Sequence, residues 1–220
     1  MIATLACLAV LGDTKLTVGQ KWDYTLLWHY KNQEIDSTDE ESFVVEVTKA
    51  LADSTTVQVS QKLTATILRE GQRIPTDPNA VPAKNDWALM SNGAIGFMKS
   101  ARFPLEARFY RILKGILPEP KGDPSRDREW TIDIPEDGEG TPKAALSARF
   151  SKKTKEGREF FLSYREADGT NGLGRFIRPE KGGPFPSMLE VRFTNTMMPG
   201  GTEAVNCDFS MVLKPQKSDK

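Results

Sequence analysis

Few side chains in this sequence could attack, bind a metal or move a proton near neutral pH. The 220 residues hold one histidine, His29, and two cysteines, Cys7 and Cys207. A Ser–His–acid triad would have to use His29 as its base. His29 alternates out of phase with Trp28 and Tyr30 and follows Leu27, which predicts a solvent-facing strand position instead. One His and two Cys fall short of the four ligands of a structural zinc site. No HExxH, CxxC, GxSxG or phosphate-loop pattern occurs. Gly172-Leu173-Gly174 lacks the third glycine and the following helix of a dinucleotide site, so it reads as a turn between strands. The acidic runs at residues 36–41 and 133–139 carry oxygens of the kind calcium takes. They lack the spaced ligands and glycine of a calcium loop, and solvated turns account for them. Thirty acidic residues allow many pairs suited to glycoside hydrolysis, but the sequence selects none. No catalytic residue, metal ligand or cofactor is therefore assigned.

The informative residues are aromatic. Trp22, Tyr24, Leu26, Trp28 and Tyr30 occupy every second position of GQKWDYTLLWHY. Strand side chains alternate between faces, so this spacing puts four large rings and one Leu on one side of one strand. Two readings follow. These rings, with Trp87 and Trp130, fill a core. Alternatively Trp22, Tyr24, Trp28, Tyr30 and Trp87 line the concave face of a curled, unclosed sheet that holds an apolar ligand beneath a helical lid.

The elements that must position these rings are mostly strands. Residues 32–42 read as a solvated hairpin loop. Phe43, Val45 and Val47 alternate, as do Val57, Val59, Leu63, Ala65 and Ile67. Residues 73–86, with Pro75, Pro78 and Pro82, read as a long surface loop. Short runs at 87–90 and 95–98 are broken by Gly93 and Gly96. The period then changes. Leu105, Phe109, Ile112, Leu113 and Ile116 follow helical spacing, with Arg108, Arg111 and Lys114 mainly on the other side. Pro104 suits the first turn of that helix, and Gly115 and Pro118 suit its stop. Alternation resumes at Trp130, Ile132 and Ile134, at Ala144 to Phe150 and at Phe160 to Tyr164. Residues 188–196 and 202–213 make a closing hairpin joined by MPGG. The expected architecture is mostly β: a large curled antiparallel sheet or incomplete barrel with one amphipathic helix packed on it.

Lys plus Arg equals Asp plus Glu at 30 each, which gives no electrostatic footprint for nucleic acid. Residues 1–12 are apolar but too short to span a bilayer. They read as a signal peptide without its basic head, placing the chain in the periplasm or outside the cell. The alternative is a first buried element of a cytoplasmic protein. No other long apolar run predicts a transmembrane span in the mature chain. Residues 13–214 read as a single β domain with an internal boundary near 117–127, and residues 215–220 as a tail. Cys207 lies in an alternating run and reads as a buried, inert thiol.

The carrying pieces Gly19–Tyr24, Leu117–Trp130 and Gly172–Leu213, in this order behind an export-like segment, resemble bacterial secreted β domains of unknown function. More loosely they are similar to periplasmic lipoprotein-carrier half-barrels. That resemblance implies an incomplete antiparallel barrel with an apolar cavity closed by helix, and no catalytic residues. The expected function is an exported, non-enzymatic domain binding an apolar small molecule or an envelope protein. A structural or adhesive surface module and a carbohydrate-active enzyme are the alternatives.

Overall fold

The computed structural model describes residues 16–90, 93–97, 104–118, 129–136, 142–180, 185–197 and 203–214. The N-terminal half contributes β1 (Lys21–Lys31), β2 (Asp36–Ala50), β3 (Ser54–Leu68), β4 (Arg73–Pro75), β5 (Ala83–Met90) and β6 (Ile95–Phe97). One helix follows among the described residues, α1 (Pro104–Ile116). The C-terminal half contributes β7 (Glu129–Ile134), β8 (Ala144–Lys153), β9 (Arg158–Glu166), β10 (Asn171–Arg178), β11 (Met188–Met197) and β12 (Ala204–Leu213). All strands belong to one antiparallel sheet ordered β6-β5-β3-β2-β1-β12-β11-β10-β9-β8-β7, with β4 added beside β3. The sheet does not close into a barrel.

Each half is thus a meander. The first and last strands join the halves at the centre, with Trp28 opposite Phe209 and Tyr30 opposite Cys207. The helix carries the chain from the β6 edge to the β7 edge. The expected alternation of β1 holds: Trp22, Tyr24, Leu26, Trp28 and Tyr30 are all buried. Phe109 of the helix touches Trp28 on β1, Phe43 on β2 and Phe209 on β12, while Tyr110 touches Trp87 on β5. One sheet reaches these rings only by curling around the helix.

That curl explains the first difference from expectation. Arg108 and Arg111 do lie away from the apolar stripe, yet they are buried too. Between Leu105 and Leu117 only Lys114 is exposed. The helix is a filling of the curl, with sheet on its polar side as well. Gly115 does not stop it either. The helix runs one residue further, and a Cβ at Gly115 would lie 3.0 Å from Leu146 Cδ1, so the glycine admits β8. Arg178 of β10 ends the helix by donating from Nη2 to the Ile116 carbonyl and, at 3.0 Å, to that of Leu117.

Three expected loops shrink or disappear. The 32–42 loop is a tight turn of residues 32–35, in which Asn32 Oδ1 accepts from the N–H groups of Glu34 and Ile35 at 2.9 and 2.6 Å. Its acids belong to β2 and bond across the sheet: Asp36 with His29, Asp39 with Thr66 and Glu40 with Arg73. The 73–86 loop contains β4 and the start of β5. Gly172-Leu173-Gly174 is not a turn but the interior of β10. A Cβ at Gly174 would stand 1.9 Å from the Glu190 carbonyl oxygen, so the sheet packs too tightly there for any side chain. Residues 1–12 and 215–220, and residues 119–127 of the expected boundary, lie outside the described residues.

Candidate functional site

The aromatic residues picked out in the sequence meet on the concave face. Tyr24, Phe43, Trp87 and Phe185 close a ring of contacts, with centroids 6.1 Å apart for Tyr24–Phe43, 6.0 Å for Phe43–Trp87, 5.8 Å for Trp87–Phe185 and 6.5 Å for Tyr24–Phe185. Trp28 packs on Phe209 at 4.2 Å and edge-on to Phe109 at 6.0 Å. Trp22 and Tyr30 are buried in the same cluster. The face is covered by helix and loop side chains.

Its polar atoms divide into two groups. Trp28 Nε1 donates to Glu41 Oε2 at 3.4 Å, Gln61 Nε2 donates to the same oxygen, and Tyr110 Oη donates to Gln61 Oε1 at 3.2 Å. Tyr24 Oη and Trp87 Nε1 are equally buried and have no partner among the described residues. Desolvation pushes the Tyr24 phenol far up, so it remains protonated.

The helix meets the C-terminal half through a buried polar cluster. Arg108 Nε and Nη2 donate to Glu166 Oε2 at 2.9 and 2.6 Å. Tyr164 Oη donates to Glu166 Oε1 at 2.6 Å, and Arg111 Nη1 approaches that oxygen at 3.4 Å. Arg111 Nη2 also donates to the carbonyls of Pro135 and Pro142 at 2.9 and 2.7 Å. Arg108 Nη1 donates to Thr196 Oγ1 at 3.2 Å. Thr196 faces inward because β11 carries a bulge between Phe193 and Thr196, where Asn195 takes a left-handed φ of 56°. An extra residue in one strand reverses which face the next side chain takes, and here it delivers a hydroxyl to the cluster.

The opposite face of the sheet is open. Two rows of outward side chains run across the strands. One reads Thr38, His29, Asp208, Arg192, Leu173, and the other Leu27, Ser210, Glu190, Arg175, Phe161. A groove of about 780 Å³ lies along them. Its bed holds Leu27 with Phe161 and Leu173, which at 49% and 65% exposed are large apolar side chains facing solvent. Its charges pair across strands, Arg175 Nε with Glu190 at 2.8 Å and Arg192 Nε with Asp208 at 2.6 Å. A second hollow of about 300 Å³, lined by Glu129, Ser147 and Arg149, continues past Phe161 and Leu173. The Arg149 guanidinium sits 5.9 Å from the Phe161 ring centroid. From β2 to β9 the groove crosses five strand spacings, ~24 Å at ~4.8 Å each.

Comparisons with protein-family models, with curated proteins and with solved structures find no match. The site residues therefore rest on geometry. Phe161, Leu173, Glu166, Thr196 and Phe185 were not singled out in the sequence. Phe161 carried a signal: it follows Phe160, so one of the two rings must leave the buried face. Among the described residues no group of His, Cys, Asp or Glu is placed to hold a metal ion, and no helix is long and apolar enough to cross a membrane.

Proposed function

We propose that this chain is an exported, non-enzymatic binding domain that takes an apolar ligand, or an apolar segment of another envelope component, in the groove across the outer face of its sheet. The observation that carries this reading is the pair Phe161 and Leu173, two large apolar side chains standing in solvent in the bed of a long groove. Exposed apolar side chains gathered in a concave, charge-rimmed surface are the usual mark of a contact site. The charged rim is already paired within the sheet, so it orients a ligand and leaves the apolar bed to supply affinity.

Two further points support a binding role. Buried acids here have structural partners: Glu166 receives Arg108, Arg111 and Tyr164, and Glu159 receives Lys152 and Arg175. The sheet ends are three-residue β6 and six-residue β7, short edges of the kind that resist strand pairing, which favours a groove ligand over edge-to-edge adhesion. Export is read from the apolar residues 1–12.

The test uses 1-anilinonaphthalene-8-sulfonate, an apolar anionic dye whose emission rises in apolar sites. The wild-type chain is expected to enhance it saturably. The folded double variant Phe161→Glu/Leu173→Glu is expected to bind it about tenfold more weakly or worse, as apolar contact is replaced by like charge. No enhancement by wild type, or equal binding by the double variant, overturns the groove.

A further inference from the structure

Two of the three unpartnered aromatic polar atoms among the described residues, Tyr24 Oη and Trp87 Nε1, point to a second site inside the molecule. Tyr24 and Trp87 are both fully buried, and they sit on opposite corners of the four-ring contact with Phe43 and Phe185. Buried polar groups are ordinarily hydrogen-bonded, and one left without a partner costs stability that a phenylalanine in its place would not. On the same face Trp28 Nε1 reaches Glu41 and Tyr110 Oη reaches Gln61. Among the described residues Arg111 Nε, Trp130 Nε1 and Ser187 Oγ also lack a partner, but Tyr24 and Trp87 are the two whose rings contact Phe185. Three of the four rings ride on hydrogen-bonded strands, Tyr24 on β1, Phe43 on β2 and Trp87 on β5. Phe185 alone comes from a connection, the one between β10 and β11.

We infer that Tyr24 Oη and Trp87 Nε1 are the polar contacts of an internal site, closed by the Phe185 ring, for an uncharged apolar molecule that bears one hydrogen-bond acceptor. Moving the Phe185 ring aside would vacate the volume of one benzyl group beside Tyr24 and Trp87. The indole N–H can only donate, and the phenol stays protonated, so both favour an acceptor oxygen such as a ketone, ester or ether. A charged carboxylate is disfavoured, because it would give up its hydration for two neutral donors among rings. The site is separate from the outer groove, which lies on the other face of the sheet.

Acetophenone and ethylbenzene test it, being nearly the same shape with and without the acceptor. Each is titrated into the wild-type chain while the indole N–H resonances are followed by NMR, Trp87 being assigned through its backbone. Acetophenone is expected to move the Trp87 indole proton downfield and to bind about tenfold tighter than ethylbenzene. Tyr24→Phe is expected to cut that preference to about threefold or less while leaving the melting temperature equal or higher. An unmoved Trp87 resonance, equal binding of the two molecules to wild type, or a Tyr24→Phe protein that melts several degrees lower overturns the inference. The Phe161→Glu/Leu173→Glu variant is expected to keep the acetophenone response, so failure of the outer groove and failure of this site are told apart.

Discussion

Arg108 Nη2 lies 2.6 Å from Glu166 Oε2 with both side chains buried, and this contact ties the helix to the C-terminal half of the sheet. Glu166 also receives Tyr164 and Arg111. Removing one partner of a buried pair leaves an uncompensated charge, a loss of about 3–5 kcal/mol. Glu166→Ala takes the buried carboxylate from two guanidinium groups, leaving Arg108 the more exposed Asp168 Oδ2 at 3.5 Å, and is expected to show a loss toward the lower end of that range in urea denaturation. Arg108→Met is expected to cost less, because Arg111 and Tyr164 remain beside the carboxylate. The reverse order would mean that Arg108, not Glu166, holds the cluster together.

Two glycines separate space from helix propensity. Alanine at Gly174 would put its Cβ 1.9 Å from a backbone oxygen of β11, which only backbone movement can relieve. Gly174→Ala is expected to prevent folding or to lower the urea midpoint more than any other glycine-to-alanine change in β10. Gly115→Ala meets the end of a side chain, Leu146 Cδ1 at 3.0 Å. Alanine in a helix gains about 1 kcal/mol over glycine, so this variant is expected to fall near neutral. Gly115→Ala combined with Leu146→Val should be more stable than Leu146→Val alone if the methyl contact is the obstacle.

Cys207 is buried on β12, and desolvation, with Asp208 and Asp39 nearby, pushes its thiol far above the ordinary range. The thiolate is the reactive form, so the native protein is expected to resist a thiol-specific disulfide reagent at neutral pH and to react fully in denaturant. Rapid modification of the folded chain would contradict the burial.

Two carboxylates on β2 are held below their ordinary range: Asp36 chiefly by hydrogen bonds from His29 and Lys31, and Glu40 chiefly by Arg73. A carboxylate whose pKa is depressed by folding contributes stability that is complete above its unfolded pKa and lost as pH falls through the folded value. Stability is thus expected to decline below the ordinary carboxylate range of about pH 4. Asp36→Asn/Glu40→Gln should flatten that decline in urea midpoints. Both groups are partly exposed, so the difference should shrink in high salt. An unchanged acid limb in the double variant would assign the decline to other acids.

Alternation along the chain was enough to place the rings of Trp22 to Tyr30 on one buried face, to separate a helix near residues 104–116 from the strands around it, and to predict a mostly β sheet left open. Those properties are local: a period of two or of 3.6 residues tells which side of an element a residue takes. What covers each side depends on residues far along the chain. Arg108 and Arg111 sat on the polar side of a helix, and only the curl of the sheet brought Glu166 and Tyr164 against them. Residues 36–41 had the composition of a solvated loop, and only pairing with β1 and β3, with β4 added beside β3, gave those acids His29, Thr66 and Arg73 as partners. Gly172 and Gly174 had the composition of a turn, and only the nearness of β11 revealed why they lack side chains. The outer groove arises from residues on six strands brought into register, and the four-ring contact from a loop ring meeting three strands. Spacing along one segment determines which way its side chains point, whereas the partner each one meets is decided when distant segments are brought together.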